Sequence, residues 1–436
     1  MADAAQYYRS VLESRKQSPF EPGKTRINYS TYIFDQEEVC NLVEVALDYW
    51  LTAGKHTLEF ERVMRAFFKT RDFVLVNSGS AANLLMVATL MAEELTRYFA
   101  PGDPLRPLTR GDEVITTALT FPTTLAPIVQ CGLIPVFVDV RLDTLSPDPN
   151  WIEDAIGPRT KAIFLPHPLG FPFDLEAVIE ICTRKNLWLL EDGCDALGAT
   201  FDGKLVGTFG AMSSLSFYPA HHMTLGEGGG VVINHPRLTR TARSIRDWGR
   251  DCYCDPGKAN TCGKRFGWDL GDLPHGFDHK YTYSNIGYNL KATDMQAAVG
   301  VAQAKKIPFI VERRRANYAY LFNWLNGNQE HYNLVVSHPK ANPSPYAFPL
   351  TLTEVKGPGR AEVISRLEAA GIETRTVFSG NILRHPGYQG IPRRVPFDLA
   401  NSDYLMTRAF FVGVHPYLRE EEIDYMAVEL LKAATI

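Results

Sequence analysis

Residues 161–199, KAIFLPHPLGFPFDLEAVIEICTRKNLWLLEDGCDALGA, alternate between two structural patterns. The runs KAIFLP and LWLLED are short and almost wholly apolar, which is typical of strands that are covered on both faces. The run DLEAVIEICTRK between them has the apolar spacing of an amphipathic helix. The same alternation begins near residue 70 and continues to about residue 234. The sequence therefore predicts an α/β fold with a mainly parallel sheet.

The sequence pattern changes beyond about residue 315, where proline-broken strands such as PYAFPLTL and ETRTVF alternate with amphipathic helices. We expect an N-terminal arm over residues 1–30, a large domain over residues 31–314 and a smaller α+β domain over residues 315–436. One long helical pattern, residues 295–325, lies at this transition. Residues 250–284 form a glycine-rich insertion of the large domain, and a loop of such length is usually functional or disordered.

Composition and charge exclude several classes of protein. The 436 residues are 45% hydrophobic, which is enough for a large core. The 45 Lys and Arg nearly balance the 49 Asp and Glu, so no overall field draws the chain towards nucleic acid or anionic lipid. We find neither a signal peptide nor an apolar run of membrane-helix length, and we expect a cytoplasmic protein. Seven cysteines, an odd number, argue against a disulfide framework and leave free thiols or metal ligands.

Three short motifs are compatible with a cofactor that carries a phosphate and a flat ring. NSGSAANLL places a small turn before a helix, whose free N–H groups suit a phosphate, although an ordinary serine-capped helix has the same pattern. Asp192, at the end of a buried strand, can pair with a protonated pyridine nitrogen or cap a helix. Phe121, in TFPTT, can stack on the ring or simply belong to the core. Each motif is weak alone.

In their order and separation these motifs, together with SFYPAHHMTLGEGG and GYNLKATDMQAA, resemble the sugar-nucleotide aminotransferase branch of the fold-type I pyridoxal-phosphate enzymes. The resemblance extends from about residue 30 to the end of the chain. It implies that Gly79, Ser80 and Ser216 hold the cofactor phosphate. It also implies that Phe121 stacks on the ring and that Asp192 pairs with the ring nitrogen.

The main departure from that family is His221, which aligns with the lysine that attaches the cofactor. An imidazole can take and return a proton near neutral pH but cannot tether the cofactor covalently. The exchange resembles the sugar 3-dehydratases of the family, which implies noncovalent pyridoxamine 5′-phosphate (PMP) and His221 as the base. For His222 we expect packing or substrate contact, and Asp195, where many relatives have histidine, is expected to shape the altered site. The family also implies a homodimer in which Asn289 reaches the phosphate of the neighbouring subunit.

Four further cysteines form a candidate metal site, with 57, one and seven residues between successive members: Cys194, Cys252, Cys254 and Cys262. Four thiolates can bind structural zinc or an iron–sulfur cluster, and these intervals match neither a zinc ribbon nor the usual ferredoxin spacings. They are similar to the [2Fe–2S] pattern of iron–sulfur sugar 3-dehydratases. That resemblance implies single-electron delivery by the cluster and a partner NADH-dependent flavin and iron–sulfur reductase. The remaining cysteines are expected to be packing residues: Cys40, Cys131 and Cys182.

The resemblance implies C3 dehydration of a nucleotide-linked 4-keto-6-deoxyhexose in 3,6-dideoxyhexose biosynthesis, with CDP favoured over dTDP or GDP. Arg250 and Arg375 are candidates for its phosphates because arginine forks suit phosphate groups, although surface arginines are common. Two alternatives stay open. One is a cluster-free dehydratase whose amine is regenerated from glutamate. The other is a noncatalytic, cofactor-binding relic of a transaminase that has lost its lysine.

Overall fold

The computed structural model describes residues 2–14, 19–31, 33–99, 103, 105–327, 330–353 and 357–435. The α-helices are α1 Ala2–Ser14, α2 Gln36–Asp48, α3 Lys55–Phe68, α4 Gly79–Leu90, α5 Pro122–Gln130, α6 Pro149–Asp154, α7 Leu175–Lys185, α8 Thr239–Arg246, α9 Asp294–Ala304, α10 Ile307–Leu325, α11 Arg360–Ala369, α12 Ala400–Arg408 and α13 Glu420–Ala434. The strands are β1 Asp72–Val76, β2 Glu113–Thr117, β3 Ile134–Val138, β4 Thr160–Pro166, β5 Trp188–Asp192, β6 Thr200–Phe201, β7 Lys204–Leu205, β8 Met212–Ser216, β9 Gly229–Ile233, β10 Tyr332–Leu334, β11 Ala341–Asn342, β12 Ala347–Leu352, β13 Thr374–Arg375 and β14 Ala409–Gly413.

The main sheet has seven strands in the order β1-β9-β8-β5-β4-β2-β3. Strand β9 runs antiparallel to its two neighbours, and the pairs from β8 to β3 are all parallel. This arrangement confirms the predicted α/β fold with a mainly parallel sheet. A separate small sheet, β11-β6-β7, lies beside it.

The all-apolar strands reflect burial on both faces of the sheet. In β4, Ala162 and Phe164 pack into one core cluster, while Ile163 and Leu165 pack into another. Alternate side chains of a strand point to opposite faces, so two covered faces require an apolar residue at every position. Helix α7, which connects β4 to β5, starts at Asp174, whose side chain accepts a hydrogen bond from the backbone of Ala177.

A second sheet of four antiparallel strands, β10-β12-β14-β13, carries its own core cluster. Helix α10 joins the two halves, because Ile307 and Val311 pack with the main sheet while Leu321 and Leu325 pack with the second. The predicted boundary between residues 314 and 315 falls in the middle of this helix and stays a prediction.

Two local predictions were wrong. The helical pattern over residues 295–325 is two helices, α9 and α10, with a break at residues 305–306. The cause is Pro308, which has no N–H to donate and whose ring would clash with the carbonyl four residues earlier. The predicted strand ETRTVF shortens to the two residues of β13.

The described residues contain no helix that combines the length and the apolar character needed to cross a membrane. The seven cysteines form no disulfide with one another. The glycine-rich insertion contains one 3₁₀ turn, His279–Tyr281, and no strand among its described residues. The parallel strands of the main sheet end at one edge, where an open α/β sheet usually binds its ligand.

Candidate functional site

A cavity of about 440 Å³ lies at the carboxyl ends of the main-sheet strands. The structure brings together most of the residues predicted for the cofactor and the base. The predicted residues that line the cavity are Gly79, Ser80, Phe121, Asp192, Cys194, Asp195, Ser216 and His221. Their elements are distant in sequence, and only the shared edge of the sheet makes them neighbours.

The first turn of α4 forms one end of the cavity. The Ser78 side chain caps the helix by accepting a hydrogen bond from the backbone N–H of Ala81 at 3.0 Å. The first N–H groups of a helix have no intrahelical acceptor, and they lie at the positive end of the helix dipole. A Cβ added at Gly79 would lie 2.6 Å from the Cβ of Ser216 and 3.1 Å from the sulfur of Cys194, so only glycine fits. This end fits a phosphate.

Asp192 also lines the cavity and is held by four donors. One carboxylate oxygen accepts hydrogen bonds from the Asn83 amide at 2.9 Å and the Thr124 hydroxyl at 2.7 Å. The other accepts from the Ser214 hydroxyl at 3.1 Å and the Cys194 backbone at 3.2 Å. A fixed carboxylate at this position fits a pyridinium nitrogen.

Phe121 directly precedes α5, lines the same cavity and is 51% exposed. An aromatic face with this much free surface can cover a flat ligand ring. With the phosphate cradle at Gly79 and the carboxylate of Asp192, it makes the residues present fit a pyridoxal- or pyridoxamine-type phosphate cofactor.

His221 lies in a tight loop, residues 217–228, that we call the histidine loop. The loop is closed by backbone hydrogen bonds from Phe217 to Gly228 at 2.9 Å and from Leu225 to Phe217 at 3.0 Å. The His221 Nδ1 atom lies 3.3 Å from an Asp195 carboxylate oxygen, and both side chains are largely buried. A carboxylate beside one imidazole nitrogen orients the ring and leaves Nε2 for proton transfer. The contact does not meet the geometry of a hydrogen bond, and hydrogen bonds of this kind are often long or poorly aligned until the reactant binds.

His222 is an anchor of the same loop and does not line the cavity. Its Nε2 atom lies 3.1 Å from the backbone carbonyl oxygen and 2.9 Å from the hydroxyl of Ser344. Burial, reinforced by the positive charge of Arg314 and by His221, lowers the pKa of His222 well below its usual value. The neutral ring therefore fastens the loop to the segment before β12, in line with the packing role that we expected.

Among the other residues that line the cavity, four shape the site although they had no assigned role or were only candidates: Tyr29, His167, Tyr346 and Arg375. Tyr346 lies with its ring 5.2 Å from that of His221, and burial with the charge of Asp195 raises the pKa of Tyr346 well above its usual value. Arg375 stacks over Tyr29 at 4.4 Å, whereas Arg250 lies outside this cavity. Tyr29 and Tyr346 come from segments without a local motif, so no signal marked them, whereas Arg375 was a candidate because an arginine fork suits a phosphate.

His167 follows β4 directly and had a recognisable signal, since a polar residue stands there just after a buried strand. Its Nε2 atom lies 3.1 Å from a carboxylate oxygen of Glu191, and its ring stacks on Phe173 with the ring centres 4.4 Å apart. Glu191 also accepts hydrogen bonds from three backbone N–H groups, those of Gly207, Phe209 and Gly210. The buried pair supports the floor of the cavity from the sheet side.

The four cysteines of the candidate metal site are not assembled. Cys194 lies in the cofactor cavity, where burial and the charge of Asp192 raise the pKa of its thiol well above the usual value. Cys252 and Cys254 line a different cavity, and the sulfur of Cys262 accepts a hydrogen bond from the Lys264 backbone at 3.4 Å. Among the described residues no three His, Cys, Asp or Glu side chains are grouped to hold a metal.

The positions of the four cysteines in the described residues therefore do not fit an iron–sulfur cluster. The predicted cluster is not supported. The physical reason is that Cys194 follows a rigid strand, whereas the other three lie in the irregular insertion. The base of that insertion is held by a buried contact of 2.5 Å between His279 Nε2 and Asp251.

Asn289 is exposed and lies outside the cavity of its own chain. Its side-chain oxygen accepts a hydrogen bond from the Lys291 ammonium group at 2.8 Å. Only a second copy of the chain could place Asn289 at a cofactor phosphate, so the homodimer and this role stay predictions.

Comparisons with known proteins agree with this geometry. The family model for the DegT/DnrJ/EryC1/StrS aminotransferase family matches residues 33–431. The lipopolysaccharide biosynthesis protein RfbH of Salmonella typhimurium is 45% identical over 97% of this chain and 94% of its own length. The dTDP-4-dehydro-2,6-dideoxy-D-glucose 3-dehydratase of Saccharopolyspora spinosa is 45% identical over 98% of this chain and 89% of its own.

Among solved structures, GDP-4-keto-6-deoxymannose-3-dehydratase with a trapped PLP–glutamate geminal diamine matches with a TM-score of 0.81. It is 28% identical, and the match covers 93% of this chain and 100% of that chain. The fold is therefore that of the fold-type I pyridoxal-phosphate enzymes, as predicted.

Proposed function

This chain belongs to the DegT/DnrJ/EryC1/StrS aminotransferase family, and from that membership we propose that it is a PMP-dependent nucleotide-sugar 3-dehydratase. It removes the C3 hydroxyl of a nucleotide-linked 4-keto-6-deoxyhexose. The observation that carries the proposal is His221, which stands beside Asp195 in a cavity that fits the cofactor. Relatives named as sugar 3-dehydratases support the reaction class.

The cofactor is held by noncovalent contacts alone. None of the residues that line the cavity in the described part of the chain is a lysine, so no side chain there can form the usual covalent link. The first turn of α4 and Ser216 bind the phosphate, Asp192 pairs with the ring nitrogen and Phe121 covers the ring. When bound, PMP supplies an amine that can condense with a keto sugar and a ring that accepts electrons.

His221 moves the proton. Its imidazole takes a proton from the reacting centre and can return one, which is the work of a general base near neutral pH. Asp195 orients the ring through Nδ1, and Tyr346 closes the cavity beside it. The side chains of His221 and Asp195 are largely buried, which limits the access of water to the proton that is transferred.

For the substrate we propose CDP-4-dehydro-6-deoxyglucose, in 3,6-dideoxyhexose biosynthesis. The resemblance of SFYPAHHMTLGEGG to the iron–sulfur branch supports the CDP nucleotide, while characterised relatives carry names with dTDP and GDP. Arg375, which lines the cavity, is the candidate for a substrate phosphate. Rates with the CDP-, dTDP- and GDP-linked 4-keto sugars at equal concentration distinguish the three, and a higher kcat/KM for dTDP or GDP would refute CDP.

The [2Fe–2S] cluster, with its NADH-dependent flavin and iron–sulfur reductase, is proposed from the cysteine spacing alone. It requires the insertion to rearrange so that Cys252, Cys254 and Cys262 meet Cys194. Protein purified without oxygen should then contain about two iron and two sulfide per chain, and Cys252→Ser should lose both. Iron-free protein that regenerates its amine from glutamate would establish the cluster-free alternative, which the PLP–glutamate species trapped in a relative favours.

The decisive experiment compares two histidine variants in the PMP-loaded enzyme under anaerobic conditions. His221→Asn should lower the dehydration rate by about 10²- to 10⁴-fold, the usual contribution of a general base. His338→Asn is the matched control, because His338 also lies near a carboxylate, 3.8 Å from Asp174, but outside the cavity. Loss of water from the sugar is followed by mass spectrometry. Rapid amino transfer by the wild-type chain, or an active His221→Asn variant, would refute the proposal.

A further inference from the structure

We infer that Arg314 is a positioning residue for His221, which holds the histidine loop and the segment before β12 in register beneath the cavity. The inference rests on the proposed function, because it gives Arg314 a role in setting the geometry of the proposed base. Arg314 lies in the middle of α10, the helix that joins the two halves of the molecule.

Three consecutive arginines of α10 bind backbone carbonyl groups, and two of them, Arg314 and Arg315, share the segment before β12. Arg313 donates hydrogen bonds to the carbonyl oxygens of Pro416 and Leu418 at 3.4 and 3.2 Å. Arg315 donates to those of Pro343 and Gly198 at 2.7 and 3.0 Å, and also to Asn342. In the described part of the chain, the side-chain hydrogen bonds of the three arginines go to carbonyl oxygens.

Arg314 is the one member of this row that reaches the proposed base. One guanidinium nitrogen donates to the carbonyl oxygens of Tyr346 at 2.7 Å and Pro345 at 3.4 Å. The other donates to the carbonyl oxygen of His221 at 3.5 Å. The guanidinium therefore joins the backbones of the two residues whose rings lie side by side in the cavity wall. Arg314 itself does not line the cavity, so it acts on the two residues through their backbone carbonyl groups.

The charge of Arg314 also belongs to this arrangement. The side chain is completely buried, and burial lowers its pKa to about 10, while the negative charge of Asp195 acts in the opposite direction. Arg314 therefore stays protonated at neutral pH. A buried cation is costly unless its surroundings compensate it, and here the compensation comes from carbonyl dipoles and from Asp195. The same charge helps to lower the pKa of His222 and of His415.

Two features separate this role from general support of the fold. Arg313 and Arg315 make the same kind of contact, from the same helix, to segments that do not carry the proposed base. Arg314 donates to the backbone carbonyl of His221, whose ring lies beside Asp195. Removing Arg314 should therefore disturb the His221–Asp195 pair, whereas removing Arg313 should disturb only the junction around Pro416.

The test uses the full-length, PMP-loaded enzyme with Arg314→Met, Arg314→Lys and the control Arg313→Met. Arg314→Met should lower kcat for dehydration by at least about 30-fold and change KM by less than about threefold, because the lost interaction acts on the reacting geometry. Arg314→Lys keeps the charge and one contact, so its kcat should recover to within about tenfold of wild type. Arg313→Met should keep kcat within about threefold.

A double variant separates positioning from stability. If Arg314 acts through Asp195 and His221, the loss in Asp195→Asn/Arg314→Met should be clearly smaller than the product of the two single losses. Crystal structures of the variants provide a reading that does not depend on turnover. The distance between His221 Nδ1 and Asp195 should increase in Arg314→Met and stay near its wild-type value in Arg313→Met.

Several results would overturn the inference. A wild-type kcat in Arg314→Met would do so. Equal losses of kcat in Arg313→Met and Arg314→Met would also do so if both losses parallel a fall in the thermal unfolding midpoint. If Arg314→Met does not fold, Arg314→Lys decides. A kcat as low as that of His221→Asn in this variant would refute the inference, because the lysine keeps the charge and one contact. If the wild-type enzyme does not dehydrate sugars, the proposed function fails separately, and the crystal structures alone decide the role of Arg314.

Discussion

The choice of a ring nitrogen instead of an amine at position 221 decides what the cavity can do. In the proposed function His221 carries a proton but does not tether the cofactor, so noncovalent binding is assigned to the first turn of α4, Ser216 and Asp192. Its neighbour has a different task, because His222 is neutral, buried and fastened to Ser344. Two adjacent histidines therefore divide into a reactive group and an anchor according to their surroundings.

At this scale we expect Asp195→Asn to lower kcat by about 10- to 100-fold with little change in KM, because an amide orients the imidazole but does not stabilise its protonated form. Steady-state kinetics of the PMP-loaded enzyme measure the effect. Asp269→Asn is the matched control. Asp269 also lies beside a histidine, 3.1 Å from the ring of His275, but both side chains are exposed and neither lines the cavity. Equal kcat values for both variants would contradict the pairing.

We also expect His221→Lys to abolish dehydration and to attach pyridoxal phosphate covalently. An amine at this position can react with the aldehyde of the cofactor, whereas an imidazole cannot form that bond stably. Borohydride reduction followed by peptide mass spectrometry detects the added cofactor mass at position 221. The wild-type chain, treated identically, should carry no such mass, and dehydration at the wild-type rate in the variant would remove His221 as the base.

At the scale of elements, the site depends on how closely α4, β8 and β9 approach one another. A Cβ at Gly229 would lie 2.2 Å from the carbonyl oxygen of Ser78, and one at Gly79 would meet Ser216. The glycines of SFYPAHHMTLGEGGG therefore let the start of β9 pass directly beneath the first turn of α4. Close contact at this point creates the phosphate cradle, because it brings Ser216 next to the free N–H groups of the helix.

Gly79→Ala should therefore weaken cofactor binding by at least about tenfold, and overpacking should cost about 1–3 kcal/mol of unfolding free energy. Fluorescence titration with PMP and thermal unfolding measure the two effects. Gly390→Ala is the control, because nothing lies within 4 Å of a Cβ at that glycine. Wild-type affinity in Gly79→Ala would show that α4 and β8 have room to separate.

At the scale of the whole molecule, a buried histidine near Arg314 of α10 makes the stability of the fold depend on pH. His415, next to β14 in the second half, is buried, and burial together with the charge of Arg314 lowers the pKa of His415 to about 3. In an unfolded chain the same group titrates near 6.5. Below that pH the unfolded state binds a proton that the folded state excludes. The stabilisation is therefore complete above about pH 6.5 and is lost as the pH falls.

Between pH 7 and pH 5 this effect should reduce the free energy of unfolding by about 2 kcal/mol for His415. We expect His415→Gln to lose about that much less stability over the same interval, as measured by urea unfolding at the two pH values. His275→Gln, at an exposed histidine, should behave like wild type. Parallel pH dependences for His415→Gln and wild type would show that the His415 ring is not kept neutral by the fold.

The sequence by itself determined the strands of the main sheet and several of the motifs that line the cavity at its edge. Those strands are buried on both faces, so their apolar runs are continuous, and the polar residues just after them collect at one sheet edge. His221 was identifiable because a local motif surrounds it. The break between α9 and α10 was missed because the apolar pattern continues through it, although Pro308 in the first turn of α10 prevents one continuous helix.

Only the tertiary structure decided which distant residues complete the site. Tyr29, Arg314 and Tyr346 reach it from the N-terminal region, the joining helix and the second half, and such encounters depend on long-range packing that leaves no local pattern in the chain. The cysteines show the opposite case, since their spacing predicts one site while the fold holds Cys194 apart from the other three. Sequence spacing shows which residue types could form a site. Their distances in the folded protein depend on the secondary-structure elements in which they lie.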